Sequence, residues 1–348
     1  MNILFFGSTT DSVIILDKLF TTHYSLFTPR ITAIVTQPPR PVGRKQLMTP
    51  TPVETWAKTR AITVLSFPSN TAKPWLYLDE AQVVDALEPL KADLIVSASY
   101  GQKIPAKTLK DAKFGGLNVH PSLLPRWRGG DPVPWAIMTG DHQTGVTIVS
   151  LSEKFDAGII YAQKKIPITG TDTSRALRTK LFELGANLLA DLLPLYITGK
   201  AKGKPQTLSQ TVSSQAHSSG RGKSARFKPV QPGGLIRFKP LPVPENDEPR
   251  ARRLSRDTGY EPWDTILKAL SNETEATRIE RKYRALNPWP GVWTLLRQDF
   301  GGQAEKRLKI LKLHLDNGLL AIDEVQLEGK NPVSWQQFSQ AYLPPISS

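Results

Sequence analysis

Asn118 and His120 stand two residues apart in Gly115-Gly116-Leu117-Asn118-Val119-His120-Pro121, a run that reads as a short strand. Alternate side chains of a strand share a face, so an amide and an imidazole project together from an otherwise apolar stretch. The imidazole can shuttle a proton or hydrogen-bond a developing oxyanion, and the amide adds an uncharged donor. An acyl-transfer site needs these parts. Asp156 follows the next strand in a loop bounded by Gly158, from where a carboxylate can reach the same strand end. Singly, a histidine is more often structural and a loop aspartate is more often a turn residue, so the three carry weight together.

The elements that must position these groups are legible as alternating strands and helices. Apolar, β-rich runs occur at 2–7, 31–36, 62–67, 93–99, 116–120 and 146–151. Helical spacing appears at 11–20, 52–59, 80–90, 132–139 and 173–193. This alternation predicts an α/β fold with a mostly parallel sheet covered on both faces, whose functional groups sit at the carboxyl ends of strands. Only Gly7 follows the first strand, so the dinucleotide and P-loop fingerprints fail. Near the other end, 273–286 reads as a helix, and β-like runs at 291–297, 308–315, 319–322 and 324–327 suggest a small barrel of the OB type.

The chain carries 45 Lys and Arg against 31 Asp and Glu, a net charge of +14, and no cysteine. Disulfides, thiolate metal sites and a cysteine nucleophile are therefore excluded. No apolar run approaches the ~18–20 residues of a membrane span. The first residues lack a basic leader, so a cytoplasmic protein is expected, and nothing demands more than a monomer. The charge is uneven: 1–200 balance at +6, 201–300 at +8 and 301–348 at zero. Between Asp191 and Glu245 lie nine basic residues, from Lys200 to Lys239, and no acidic one, in Ser-, Gly- and Pro-rich sequence where Arg-Phe-Lys-Pro occurs twice. Such a stretch is either a solvated spacer or a basic arm for phosphates.

The run Asn118-Val119-His120-Pro121-Ser122-Leu123-Leu124-Pro125, with Arg128-Gly129 behind it, resembles the signature of folate-dependent formyltransferases. Gly145-Val146-Thr147 and Asp156-Ala157-Gly158 match the remaining parts in order and spacing. The resemblance implies a Rossmann-like domain that transfers formyl from 10-formyltetrahydrofolate to an amine. It makes Asn118, His120 and Asp156 the catalytic trio, lines the folate pocket with Ser122, Leu123, Leu124 and Pro125, and calls for no metal.

Gln37–Val53 is similar to the basic loop inserted in the members that act on initiator methionyl-tRNA. Arg40, Arg44 and Lys45 would meet the acceptor arm, with Pro and Gly keeping that backbone irregular. Asn287-Pro288-Trp289-Pro290-Gly291 resembles the start of the family's C-terminal barrel. The expected plan is a catalytic domain over 1–200, a basic linker over 201–256 and an OB-like tRNA-binding domain over 257–348. The chain departs from the tRNA-directed pattern in its longer linker, and in Asp131 and Pro134, where small residues and then a glutamine are usual. Trp127 offers either a stacking surface or a buried structural ring. Two alternatives stay open, a formyltransferase for a nucleotide-linked amino sugar and an inactive RNA-binding relative.

Overall fold

The computed structural model describes residues 1–43, 45–206, 249–296 and 305–342. Arg44, both Arg-Phe-Lys-Pro repeats and the basic residues Arg221 to Lys239 lie outside them.

Strand β1 (Asn2–Gly7) is apolar at consecutive positions because both of its faces are covered. Thr9 then caps helix α1 (Thr10–Thr21) in a capping box with Ser12. Strand β2 (Arg30–Thr36) leads into a hairpin of β3 (Arg40–Val42) and β4 (Leu47–Thr49). Helix α2 (Pro52–Lys58) starts on a Thr51 cap with proline in its first turn, where the missing N–H costs nothing. There follow β5 (Thr63–Ser66), α3 (Glu80–Leu87) capped by Asp79, β6 (Leu94–Ala98), α4 (Ala106–Asp111) and β7 (Gly116–His120). The two-residue strand β8 (Arg128–Gly129), α5 (Pro132–Met138), β9 (Gln143–Ser150), β10 (Ile160–Pro167) and α6 (Ser174–Ile197) complete this half.

Its sheet is ordered β10-β9-β7-β6-β1-β2-β5. The strands from β7 to β5 run parallel, and β9 and β10 are antiparallel. Ile3, Phe5, Val96, Leu117 and Val119 pack with Ile15, Phe182 and Leu189 on one face, while Leu4, Phe6, Ile95, Val83 and Leu87 fill the other. Strand β10 is the strand of this sheet that the apolar pattern does not show. It is a sheet edge carrying Gln163, Lys164 and Lys165, and charge on an edge guards it against pairing.

Past residue 249, β11 (Arg250–Ala251) pairs in parallel with β8. Helices α7 (Trp263–Ala269) and α8 (Glu273–Leu286) precede an antiparallel sheet of β12 (Val292–Leu296), β13 (Lys306–Asp316), β14 (Leu319–Leu327) and β15 (Val333–Ser334), and α9 (Trp335–Tyr342) closes it. The runs 319–322 and 324–327 form one strand, because Asp323 points outward and sits 3.0 Å from His314 Nδ1 on β13. Val292, Leu308, Ile310 and Val325 pack with Ile266, Ile279 and Phe338. The two halves share a further buried cluster, in which Val133, Ile137, Leu177 and Leu181 meet Ala285 and Leu286 of α8. No described helix is long and apolar enough to cross a membrane.

Candidate active site

Strand β7 lies between parallel β6 and antiparallel β9, with Asn118 opposite Val149 and His120 opposite Thr147. Leu117 and Val119 point into the core, so Asn118 and His120 share the other face, and His120 is 4% exposed. The chain then turns sharply, and β9 holds the turn. The Thr147 hydroxyl donates to Ser122 O (2.6 Å) and accepts from Leu124 N (3.2 Å). From edge strand β10, Gln163 Nε2 donates to Leu124 O at 2.9 Å. The Ser122 hydroxyl donates to Arg126 O at 2.7 Å. Ser122 and Leu124 are thus buried and engaged in shaping the loop, Pro125 follows a cis peptide, and Leu123 lines a cavity of about 370 Å³ with Arg126, Trp127 and residues 140–144.

Asp156, 38 positions along the chain, returns to this strand end. Its Oδ1 accepts from Asn118 Nδ2 at 3.2 Å and lies 3.4 Å from His120 Nδ1. Its Oδ2 accepts from Gly129 N at 3.0 Å. The other ring nitrogen, His120 Nε2, is 3.0 Å from Trp127 O. A carbonyl only accepts, so Nε2 donates there, and a hydrogen bond from Nδ1 to the carboxylate needs a second proton on the ring. The structure therefore brings Asn118, His120 and Asp156 together, with an oxygen neighbour at each ring nitrogen. A hydrogen bond from His120 to a substrate oxygen requires one of these contacts to open, whereas Asn118 keeps a second amide hydrogen.

Sequence reasoning missed what holds the trio. Asp156 has φ 54°, a left-handed conformation that aspartate tolerates better than most residues. Gly129 has φ 122°, and a Cβ there would run into the Ala251 carbonyl. Trp127 N donates to Pro249 O and Gly130 N to Ala251 O, each at 2.9 Å. Segment 249–251, which the composition assigned to the linker, thus forms a wall of the site. Gln206 bridges Asp156 O and Gly158 O from the other side. Neither partner lies near Asp156 in sequence, so no local spacing signals it.

Residues 1–193 match the family model described as formyl transferase, and 268–319 match formyl transferase, C-terminal domain. The chain belongs to the formyl transferase family. A relative from Enterococcus faecalis named methionyl-tRNA formyltransferase is 36% identical over 303 residues, covering 85% of this chain and 90% of the relative. A Listeria monocytogenes protein of the same name is 43% identical over 204 residues, 59% of this chain, and the match spans only 61% of that relative's length. Among solved structures, the formyltransferase-like fold recurs in WlaRD, a sugar 3N-formyl transferase (TM-score 0.52, 13% identity, covering 95% of this chain and 99% of that one). An N-formyltransferase from Helicobacter canadensis scores 0.52 at 14% identity, covering 88% and 94%.

One further expectation changes in this formyl transferase. The basic loop is not irregular. Arg40, Pro41 and Val42 pair with Thr49, Met48 and Leu47, and Gly43 at φ 73° starts the turn. Pro41 is tolerated because a two-stranded ribbon leaves one side of each strand unpaired. Arg40 donates to Gln37 Oε1 at 2.6 Å, Lys45 is exposed at the turn, and Val42, Leu47 and Met48 are all more than half exposed. Asp131 has a structural partner, since its Oδ2 accepts from Leu254 N at 2.9 Å. Trp127 is 4% exposed and stacks on Trp135 at 6.2 Å, the buried alternative.

Proposed function

We propose that this chain transfers the formyl group of 10-formyltetrahydrofolate to the α-amine of initiator methionyl-tRNA. The observation that carries the reading is the convergence of Asn118 Nδ2 and His120 Nδ1 on one oxygen of Asp156, at the carboxyl end of β7. The name shared by the relatives supports the substrate, and so does the exposed basic hairpin, which an amino-sugar substrate does not call for. The formyl donor occupies the crevice beside the Ser122–Pro125 loop. In the loop after β6, Gln102 Nε2 is a buried donor without a partner among the described residues. The chain divides into a catalytic part over 1–200, a linker over 201–256 and a tRNA-binding part over 257–348.

The amine attacks the formyl carbon, forming a C–N bond and a tetrahedral oxyanion. A free α-amino group has a pKa of only about 7.7–8.0, so the amine is available near neutral pH without a strong base. Asn118 donates its second amide hydrogen to the oxyanion, and His120 assists when a ring contact opens. Asp156, held against His120 Nδ1, takes the proton that the amine loses. That proton returns to N10 as the C–N10 bond breaks, which leaves tetrahydrofolate and formylmethionyl-tRNA. Arg40, Arg44 and Lys45 hold acceptor-arm phosphates.

The test is an incubation with 10-formyltetrahydrofolate and either charged initiator tRNA or an amino sugar nucleotide. Formylated methionyl-tRNA is expected. Transfer to the sugar alone, or to neither acceptor, sinks the reading. Asn118→Ala and His120→Ala are each expected to lower the rate by ~10²–10³ while folate binding survives.

A further inference from the structure

We infer that Gln206 is a positioning residue for the formyl-transfer reaction, holding Asp156 in the left-handed conformation that aims its carboxylate at Asn118 and His120. The inference rests on the function proposed above. All the polar capacity of the Gln206 amide is directed at the site. Nε2 donates to Asp156 O at 2.7 Å and to Gly158 O at 2.9 Å. Oε1 accepts from Arg128 Nε at 2.9 Å and from Arg128 Nη2 at 2.5 Å. Two carbonyls require a donor and a guanidinium requires an acceptor, so chemistry fixes which end of the amide is which.

These hydrogen bonds close a ring around the carboxylate. Arg128 precedes Gly129, whose N–H donates to Asp156 Oδ2, so Gln206 fixes the main chain of Asp156 while its Arg128 partner steadies the strand that fixes its side chain. The ring is anchored from outside. Lys204 exchanges both backbone hydrogen bonds with Ile160 at the start of β10, at 2.8 and 2.9 Å, and so sets the segment that delivers Gln206. Asp156 at φ 54° stays in a sparsely populated region only while its surroundings over-determine it. Without the two N–H donors, the carbonyls of Asp156 and Gly158 are released and the peptide between them can rotate, which carries the carboxylate away from His120.

The decisive variant is Gln206→Glu, which keeps an acceptor for Arg128 and removes both donors to the loop; Gln206→Leu, of similar shape, removes all four hydrogen bonds. Misplacing a reacting group by about an ångström costs on the order of 10²-fold, so kcat of Q206E is expected to fall by about that factor. KM for both substrates should change by less than about threefold, because the missing interaction belongs to the transition state. Combined with Asp156→Asn, Q206E should cost nothing more, because the two act as a unit. A second readout needs no turnover: the ring resonances of His120 in labelled protein should move in Q206E as they move in D156N. An unchanged kcat with unmoved His120 signals, or full additivity in the double variant, overturns the inference. Inactive wild-type protein counts against the proposed function instead, and the His120 signals still decide whether Gln206 sets Asp156.

Discussion

Asp156 shows how little local chemistry a candidate functional residue needs to display. Its carboxylate takes two side-chain neighbours on one oxygen and a backbone N–H on the other, and its main chain sits where most side chains are strained. Asp156→Asn keeps the shape and the tolerance for that conformation while removing the charge. The expected outcome is an unchanged melting temperature with turnover lowered by at least ~10²-fold, the general scale for a positioned acid or base. Measured together, the two quantities separate chemistry from folding. Thr147 makes the opposite case. Its hydroxyl is fully buried and serves Ser122, Leu124 and Gln163 at once. Thr147→Val strands those groups, so urea unfolding should report a loss of about 1–3 kcal/mol.

Helix α8 is fixed through a buried carboxylate. Glu261 is 5% exposed and accepts two hydrogen bonds from Arg278 at 2.8 Å and one from Lys282 at 2.7 Å. Burial alone pushes the Glu261 carboxyl up, but Arg278 and Lys282 together outweigh it and hold it below the usual carboxylate range. Burial also pushes the Lys282 ammonium below its ordinary value, against the pull of Glu261. A depressed carboxyl stabilises the fold above its unfolded value of 4.5, and that stability is lost as pH falls through the lower folded value. Acid unfolding of the wild type should thus be steepened by Glu261, and Glu261→Gln should flatten the curve below pH 4.5. At neutral pH the same variant leaves the buried Lys282 ammonium without a carboxylate, while Arg278 keeps Glu275 at 2.8 Å, and should cost about 3–5 kcal/mol. The β3–β4 hairpin makes a second prediction at this scale. Arg40→Ala with Lys45→Ala should weaken tRNA binding and reduce its salt slope by roughly 0.7–0.9 for each phosphate no longer neutralised. An unchanged affinity and slope would remove Arg40 and Lys45 from the tRNA interface.

Across the whole molecule, the two halves are joined by packing as well as by chain. Leu286 of α8 is fully buried against α5 and α6, and Arg284 Nη1 donates to Asp172 O across the same seam at 2.8 Å. Leu286→Ala should destabilise the protein by about 2–5 kcal/mol, depending on how far the seam collapses. Unfolding followed separately in each half should then show two transitions where the wild type shows one. The seam and the 249–251 wall place the C-terminal half against the loop that carries the Trp127 carbonyl.

What the sequence by itself determined follows from periodicity and from motif. The strands of the parallel sheet are continuous apolar runs because both faces are buried, and helix 273–286 shows its apolar stripe, so both were readable within a few residues. Asn118 and His120 were readable as a pair because strand geometry alone puts them on one face. Asp156 was readable because it follows the next strand in a loop bounded by Gly158 and its Asp-Ala-Gly matches the family motif. Edge strand β10 and the basic hairpin were not, since an element exposed on most sides has no burial to enforce a pattern. Gln206 and Pro249–Ala251 were beyond reach for another reason. Pro249 and Ala251 serve the site through their own backbone carbonyls, and the Gln206 side chain meets the backbone carbonyls of Asp156 and Gly158; every residue carries such groups, so only the folded chain decides which of them meet.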